Sequence, residues 1–345
     1  MMRQVPGVLL AAVCSGAVAA APPAPGLQVE WVDVEGGAAT LIVTPAGESV
    51  LIDSGWEGGR DAGRIRDAAA RAGVERIDHL ITTHWHRDHV GGVAALAERM
   101  PVGRFYDHGF PEVLPDLAPE LKEAYLRVTR GQSRVLRPGD AIELKQAPDA
   151  PSVALRVLSA HGLVPGEGPG APQTRACAAQ PPHPAIEDDK SDNHRSVGVV
   201  LSFGRFELLD LGDLTRNVEH KLACPKNLAG VVDVYQVTHH GLDNSNHPAL
   251  LRAVAPTVAV VNNGPRKGGK PEVYRRLQAT DSVKEVFQVH RNVETGPSDN
   301  APPALVANDD EACQGHPVRL TVDAAAKTYT VEVPSKGTRR AYGVR

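Results

Sequence analysis

Three short runs near the start of the chain, 27–35, 39–44 and 49–53, alternate apolar with polar residues and are separated by turns containing glycine. Period-two alternation marks a strand with one buried face, so this stretch predicts a three-stranded meander. The period then changes. Across 60–72, Ile65, Ala69 and Ala72 share one helical stripe, and Gly73 supplies the stop, which predicts a helix. A strand at 77–82 comes next. Helices at 91–99 and 117–129 follow, the latter with Leu117, Leu121, Tyr125 and Val128 at helical spacing, and strands at 135–144 and 153–159 end this region.

The stretch 161–192 is rich in Pro, Gly, Ala and acid, and reads as a long surface insertion placed to cover a site. Order resumes with strands at 196–202 and 206–211 around Gly204-Arg205, a hairpin signal. A strand at 232–237, a helix at 247–253, a strand at 257–261, a helix at 271–279 and a strand at 283–289 complete the series. Strands alternating with helices predict a layered α/β architecture. We expect one domain over 27–345, built from two αβ halves at about 27–160 and 193–335.

Composition narrows the class. With 345 residues, 42% hydrophobic and 23% charged, the chain can bury a substantial core and is not of the disordered type. A formal net charge of -4 supplies no global field toward nucleic acid or an anionic membrane, so neither is expected as an obligatory partner. Arg3, an apolar run over 5–21 and Pro22-Pro23-Ala24-Pro25 have the layout of a secretory signal, removed after Ala19 or Ala20. The run is short and interrupted by Pro6, Gly7, Ser15 and Gly16, so no transmembrane anchor is expected. Export to a periplasmic or extracellular, oxidising compartment makes one disulfide among Cys177, Cys224 and Cys313 the expectation, with the pairing open.

The chemistry starts where the strand at 77–82 runs into Thr82-Thr83-His84-Trp85-His86-Arg87-Asp88-His89-Val90-Gly91-Gly92. His84, His86, Asp88 and His89 put four metal-capable side chains into six positions. Neutral imidazoles with a carboxylate suit Zn(II) or a similar divalent ion, and the paired glycines let the loop turn tightly. A polar surface loop would need neither that spacing nor a strand in front of it. Three further strand ends close on a polar side chain: Asp53 in Leu-Ile-Asp-Ser-Gly, Asp213 in Leu-Gly-Asp-Leu, and His239 in Thr-His-His-Gly. Each alone reads as a turn aspartate or a core histidine; the conjunction points to one site.

This order of motifs resembles the metallo-β-lactamase fold superfamily over about 27–290: an early Asp, an HxHxDH run backed by Gly-Gly, a later Asp after a strand, and a late His. Within it the chain looks most like the hydrolases related to the competence protein ComEC. Asn193 to Ser196 before a strand, Leu209-Asp210-Leu211-Gly212-Asp213-Leu214, and His239-His240-Gly241 with Asn244-Ser245 carry that likeness. That group's usual first motif is HxDxDH, so His86 is a departure, as is the loop from Asn262 to Lys270.

The resemblance implies an α/β four-layer αβ/βα sandwich holding two divalent metal ions, Zn(II) first and Mn(II) as the alternative. His84 and His86 would hold one ion, Asp88 and His89 the other, with Asp213 bridging them and His239 completing the second site. A further ligand to the first ion would come from His194, the better donor beside Asn193, with His161 ranked behind it. Asp53 would orient ligands from behind. Two such ions share a water, lower its pKa and make hydroxide available near neutral pH. Asp88 or Asp213 could accept the proton, and His240 could serve as acid or oxyanion donor. Asn263, Lys267 and Lys270, with Arg266, would meet an anionic substrate. The expected activity is thus hydrolysis of a phosphodiester or related anionic ester. Hydrolysis of a β-lactam or lactone is the alternative, Asp213 speaking against an antibiotic hydrolase, and a non-catalytic secreted metal-binding protein is the alternative of another class.

Overall fold

The computed structural model describes residues 26–111, 117–166, 189, 191–312 and 314–345. The expected signal segment, most of the 161–192 insertion, Cys177 and Cys313 lie outside the described residues. Cys224 is disulfide-bonded.

In chain order the strands are β1 Leu27–Trp31, β2 Thr40–Val43, β3 Ser49–Ile52, β4 Ile77–Ile81, β5 Val102–Asp107, β6 Arg134–Val135, β7 Ala141–Ile142, β8 Val153–Ser159 and β9 Gly198–Phe203. They continue as β10 Phe206–Asp210, β11 Val234–Gln236, β12 Val258–Val261, β13 Glu285–His290, β14 Val306–Asn308, β15 Val318–Val322, β16 Thr328–Val333 and β17 Thr338–Gly343. Among the described residues these form a nine-stranded sheet, β17-β16-β15-β1-β2-β3-β4-β5-β6, and an eight-stranded sheet, β14-β13-β12-β11-β10-β9-β8-β7. The helices are α1 Gly59–Arg71, α2 Arg87–Val90, α3 Val93–Ala97, α4 Pro119–Thr129, α5 Arg216–Ala223, α6 Pro248–Val254 and α7 Pro271–Gln278.

Alternation along the strands assigns the faces. Ile42, Val50, Ile52 and Ile81 point into the core between the sheets, where they meet Val199, Leu201, Leu208 and Val260. Their neighbours Leu41, Val43, Leu51 and Leu80 point the other way, onto Ala62, Ile65 and Ala69 of α1 and Val93 and Leu96 of α3. Val218 and Leu222 of α5, Leu250 of α6 and Leu277 of α7 belong to the core of the eight-stranded sheet. The result is the four-layer αβ/βα sandwich, each wholly buried Ile, Leu or Val contributing about 1.5–3 kcal/mol. Polar ties join the two sheets: Gln236 Oε1 accepts from Trp31 Nε1 at 2.6 Å and Thr40 Oγ1 at 2.8 Å. His290 Nε2 lies 2.8 Å from Asp33 Oδ1, both residues being fully buried.

Three expectations need correcting. The strand expected at 135–144 is two strands in different sheets, β6 and β7, because Arg137-Pro138-Gly139-Asp140 turns between them, with Gly139 at φ 93 and the Arg137 N–H held by Asp140 Oδ2 at 3.0 Å. A proline cannot donate to a ladder. The boundary between sheets therefore falls ahead of 160, and β8 pairs antiparallel with β9 across the insertion. The chain also returns to the first sheet at its end, where β15 pairs antiparallel with β1, so the two halves are not continuous in sequence. Finally, the helix expected at 91–99 is the shorter α3, and a separate turn of helix, α2, precedes it within the His-rich run. At Gly92 a Cβ would sit 1.9 Å from Ser54 O, and at Gly91 one would sit 2.2 Å from Arg87 O. The close approach packs the His-rich turn against the loop after β3.

β3, β4 and β5 run parallel in one sheet and β10 to β13 in the other. Ligands in α/β sheets bind outside the carboxyl ends of parallel strands. Asp53 and the run from Thr82 follow β3 and β4, while Asp213 and the Thr238–Gly241 turn follow β10 and β11.

Candidate metal centre

Asp53 organises the first loop. Its Oδ1 accepts the Thr83 N–H at 2.7 Å, and its Oδ2 accepts the Thr83 hydroxyl at 2.7 Å and His89 Nδ1 at 2.7 Å. His89 Nε2 is left facing Asp213 Oδ2 at 3.2 Å, Asp88 Oδ2 at 3.3 Å and His240 Nε2 at 3.2 Å. The Thr83 hydroxyl, having given its hydrogen to Asp53, accepts from His84 Nδ1 at 3.1 Å. His84 Nε2 is then a bare lone pair, fully buried, without a hydrogen-bond partner, and 3.8 Å from Asp213 Oδ2.

The second sheet repeats the device. His240 Nδ1 donates to Asn262 O at 3.3 Å, and its Nε2 faces Asp88 Oδ2 at 3.2 Å and Asp213 Oδ1 at 3.4 Å. His239 Nδ1 donates to Ser245 Oγ at 3.2 Å, since the Ser245 hydroxyl hydrogen goes to Leu214 O at 2.8 Å. Its Nε2 lies 3.3 Å from Asp213 Oδ2. Four imidazoles thus have Nδ1 fixed by an oxygen behind and Nε2 turned toward carboxylate oxygens, the arrangement that metal-ligating histidines take. Acceptor atoms crowded together at these distances repel unless a proton or a metal cation stands between them. The donor atoms fall into two groups that share Asp213: Asp88, His89, Asp213 and His240, and His84, His86 and Asp213. These residues fit a pair of divalent ions of the imidazole- and carboxylate-loving kind.

The charges are balanced by one another. Burial would raise the Asp213 carboxyl, but His240, His89 and His239 hold it well below the usual carboxylate range. Burial likewise works against Asp88, which His89, His240 and Lys267 hold low. His89 is pushed well up, because Asp213, Asp53 and Asp88 outweigh its burial. His84 moves well down through burial, reinforced by His89 and His86, and burial lowers His239 to about 4 despite Asp213. Strain gathers at the same place: Asp53, His239 and His240 have φ of 61, 56 and 53, backbone that non-glycine residues keep only when their surroundings enforce it.

The geometry sorts the remaining expected residues. His194 is turned away from the cluster, its Nδ1 2.5 Å from Ser191 O; its neighbour Asn193 is buried and reaches His239 instead. His240, expected as an acid, stands in the second donor group where His239 was expected. Asn263 spends its amide on Gly264 O and His290 O, so it fixes the loop rather than facing a substrate. Arg266 is exposed and bound to Glu311 and Glu294. Lys270 stands at the N-cap of α7, its N–H bonded to Gly241 O at 3.0 Å. Lys267 does reach the site: its ammonium contacts Asp88 Oδ2 and lies 5.1 Å above the Trp56 ring. His161 packs on His108, with ring centroids 5.7 Å apart.

Sequence reasoning missed two supports. Asp192 Oδ2 accepts the Trp85 N–H at 2.8 Å and His108 Nε2 at 2.9 Å, holding the loop between His84 and His86 from the far end of the insertion. Nothing local to Asp192 signals a partner 107 positions away. Glu219 on α5 is wholly buried and accepts the Asn246 N–H at 2.9 Å and the His247 N–H at 2.7 Å, fixing the loop that follows His240. Burial pushes its carboxyl from 4.5 up to about 7. A carboxyl raised on folding favours the folded chain while protonated, so this contribution is lost as pH rises from about 4.5 through 7. Urea midpoints at pH 5 and pH 8 should show wild type losing about 2–3 kcal/mol more than Glu219→Gln across that interval.

A two-sheet α/β protein with a buried His/Asp cluster at its strand ends is of the metal-dependent hydrolase class. The sequence pattern of the metallo-beta-lactamase superfamily matches residues 32–261, and the chain belongs to that superfamily. Recombination protein 2 of Haemophilus influenzae is 28% identical over 268 residues, which is 76% of this chain and 28% of that protein. The lactamase-like protein notP of an Aspergillus species is 35% identical over 65 residues, 19% of this chain and 20% of that one. The chain thus spans 28% and 20% of the lengths of these two relatives. Among solved structures, a metallo hydrolase from the archaeon Ignicoccus hospitalis matches with a TM-score of 0.41 and 14% identity over 76% of this chain and 94% of its own. A diphosphatase of the PhnP family matches with a TM-score of 0.37 and 15% identity over 74% and 92%. No helix among the described residues is long and apolar enough to cross a membrane.

Proposed function

We propose that the chain is an exported two-metal hydrolase acting on a phosphodiester or related anionic ester. The observation that carries this reading is the convergence of His84, His89 and His240 Nε2 on the carboxylates of Asp88 and Asp213. His84, His86 and Asp213 would hold one ion, and Asp88, His89, Asp213 and His240 the other. Two divalent ions so held would supply a water of lowered pKa and polarise the bond under attack. Asp53, Thr83, Asn262 and Asp192 keep the ligands in one tautomer and orientation. Asp88 or Asp213 would take up the proton released from water. Lys267, partly exposed beside Asp88, is placed to neutralise the substrate's anion. The apolar segment at the start of the chain and the disulfide at Cys224 support export, since disulfides persist in oxidising compartments.

Metal-reconstituted protein should hydrolyse bis-p-nitrophenyl phosphate and lose that activity to a chelator. Activity retained after chelation would refute the reading. Lys267→Met should lower kcat/KM for this diester about tenfold or more, the worth of one charge-assisted contact, with metal content unchanged. Lactone or β-lactam hydrolysis is the second reading, because Lys267 could equally meet a carboxylate; turnover of nitrocefin without turnover of the diester would favour it. A protein that binds two ions yet turns over neither substrate nor a lactone would be a metal-binding scaffold.

A further inference from the structure

The chain has three tryptophans. Trp31 and Trp85 are wholly buried, whereas Trp56, in the loop between β3 and α1, keeps part of its ring at the surface. Its backbone is locked in place. Asp61 Oδ2 accepts the Trp56 N–H at 2.9 Å, and a Cβ at Gly91, two residues past His89, would lie 2.9 Å from the Trp56 carbonyl carbon. The indole borders the centre: a Cβ at Gly37 would meet Trp56 Nε1 at 3.2 Å and Asp88 Cβ at 3.3 Å, and Asp88 belongs to the second donor group.

Lys267 comes to the same place from the other sheet, in the loop between β12 and α7. Its carbonyl accepts the Gly264 N–H at 2.8 Å, and Gly268 beside it packs so closely on the His240 turn that a Cβ would lie 2.1 Å from His240 O. A Cβ at Gly36 would come 2.9 Å from Lys267 Cβ. From this fixed backbone the ammonium reaches Asp88 Oδ2 and lies 5.1 Å from the Trp56 ring centroid, its two partners among the described residues. They are not equivalent. The Asp88 carboxylate is committed to the second donor group, whereas an indole face holds a cation through its quadrupole and competes for no metal.

We propose that Trp56 is the positioning residue for Lys267: its indole holds the ammonium at the mouth of the centre, ready for the substrate's anion when Asp88 is engaged elsewhere. This rests on the reading of Lys267 as the substrate's counter-charge. A lysine ammonium rides on a flexible four-carbon stem, and a partner that restricts the stem beforehand lowers the ordering cost of meeting the substrate. Trp56 therefore acts through Lys267, and its effect disappears when the ammonium is removed.

A double-mutant cycle on the Zn(II)-loaded protein, read with bis-p-nitrophenyl phosphate, decides it together with the NMR shift of the Lys267 ε-methylene. Trp56→Leu should lower kcat/KM about fivefold, the scale of one cation–π contact, with metal content unchanged. In a Lys267→Met background the same change should cost less than about twofold. Trp56→Phe keeps an aromatic face and should restore most of the rate. The ε-methylene signal, identified by its absence from Lys267→Met, should be displaced upfield by the ring current in wild type and in Trp56→Phe, and should return to an ordinary lysine position in Trp56→Leu. Equal losses from Trp56→Leu in both backgrounds would overturn the proposal, as would a wild-type ε-methylene at an ordinary lysine position. Lys267→Met as active as wild type, with the upfield signal present in wild type, would instead overturn the substrate role of Lys267 on which the proposal rests. The wild-type shift and Trp56→Phe keep the test informative should Trp56→Leu fail to fold.

Discussion

Asp213→Ala should abolish hydrolysis and leave the chain unable to hold a pair of ions. Asp213 is the one residue common to both donor groups, and four imidazoles, His84, His89, His239 and His240, approach its oxygens within 3.8 Å. Removing a group that merely orients a metal ligand already costs about 10–100-fold in affinity or activity, so loss of the shared ligand should exceed 100-fold in kcat/KM. The fold should survive, because Asp213 stands in a loop after β10 whose N–H is held by Ser196 Oγ at 3.2 Å. Without the carboxylate, moreover, His89 loses the first of the three charges that push its pKa up against burial, so that pKa should fall, and NMR titration of the metal-free chain would follow it. Diester hydrolysis with elemental analysis checks the rest. Activity within tenfold of wild type would remove Asp213 from the centre.

The second large effect separates two histidines that look equivalent along the chain. His240→Ala should lose the second ion and most of the activity, again by at least about 100-fold. His194→Ala should leave metal content and kcat within about twofold, because the half-buried ring is turned onto Ser191 O and lies outside both donor groups. His240 Nε2 lies 3.2 Å from both His89 Nε2 and Asp88 Oδ2, whereas His194 lies against its own turn. The reverse result, with His194 essential and His240 dispensable, would mean that the ligand set is misassigned.

These two cases show what the sequence could and could not carry. The strands before Asp53, His84, Asp213 and His239 were legible because each is a short apolar run ending in a polar residue. The HxHxDH run stood out because its metal-capable side chains are close neighbours in the chain. The different parts given to His239 and His240 had no local basis, since both sit in a tight left-handed turn and acceptors further along the chain, Ser245 Oγ and Asn262 O, decide which ring points where. Asn193 and His194 posed the same problem, settled by Asp192 binding a backbone N–H in another sheet's loop. Of the loop cations, Arg266 is neutralised by Glu311, 45 positions later, leaving Lys267 at the site. The return of β15 beside β1 is equally non-local, pairing residues nearly the whole chain apart.

Anomalous diffraction from crystals of Zn(II)-loaded protein, measured on both sides of the zinc edge, tests the central claim most directly. Two peaks should appear, one among His84, His86 and Asp213 and the other among Asp88, His89, Asp213 and His240. A single peak, or any pair not sharing Asp213, would contradict the two-metal centre.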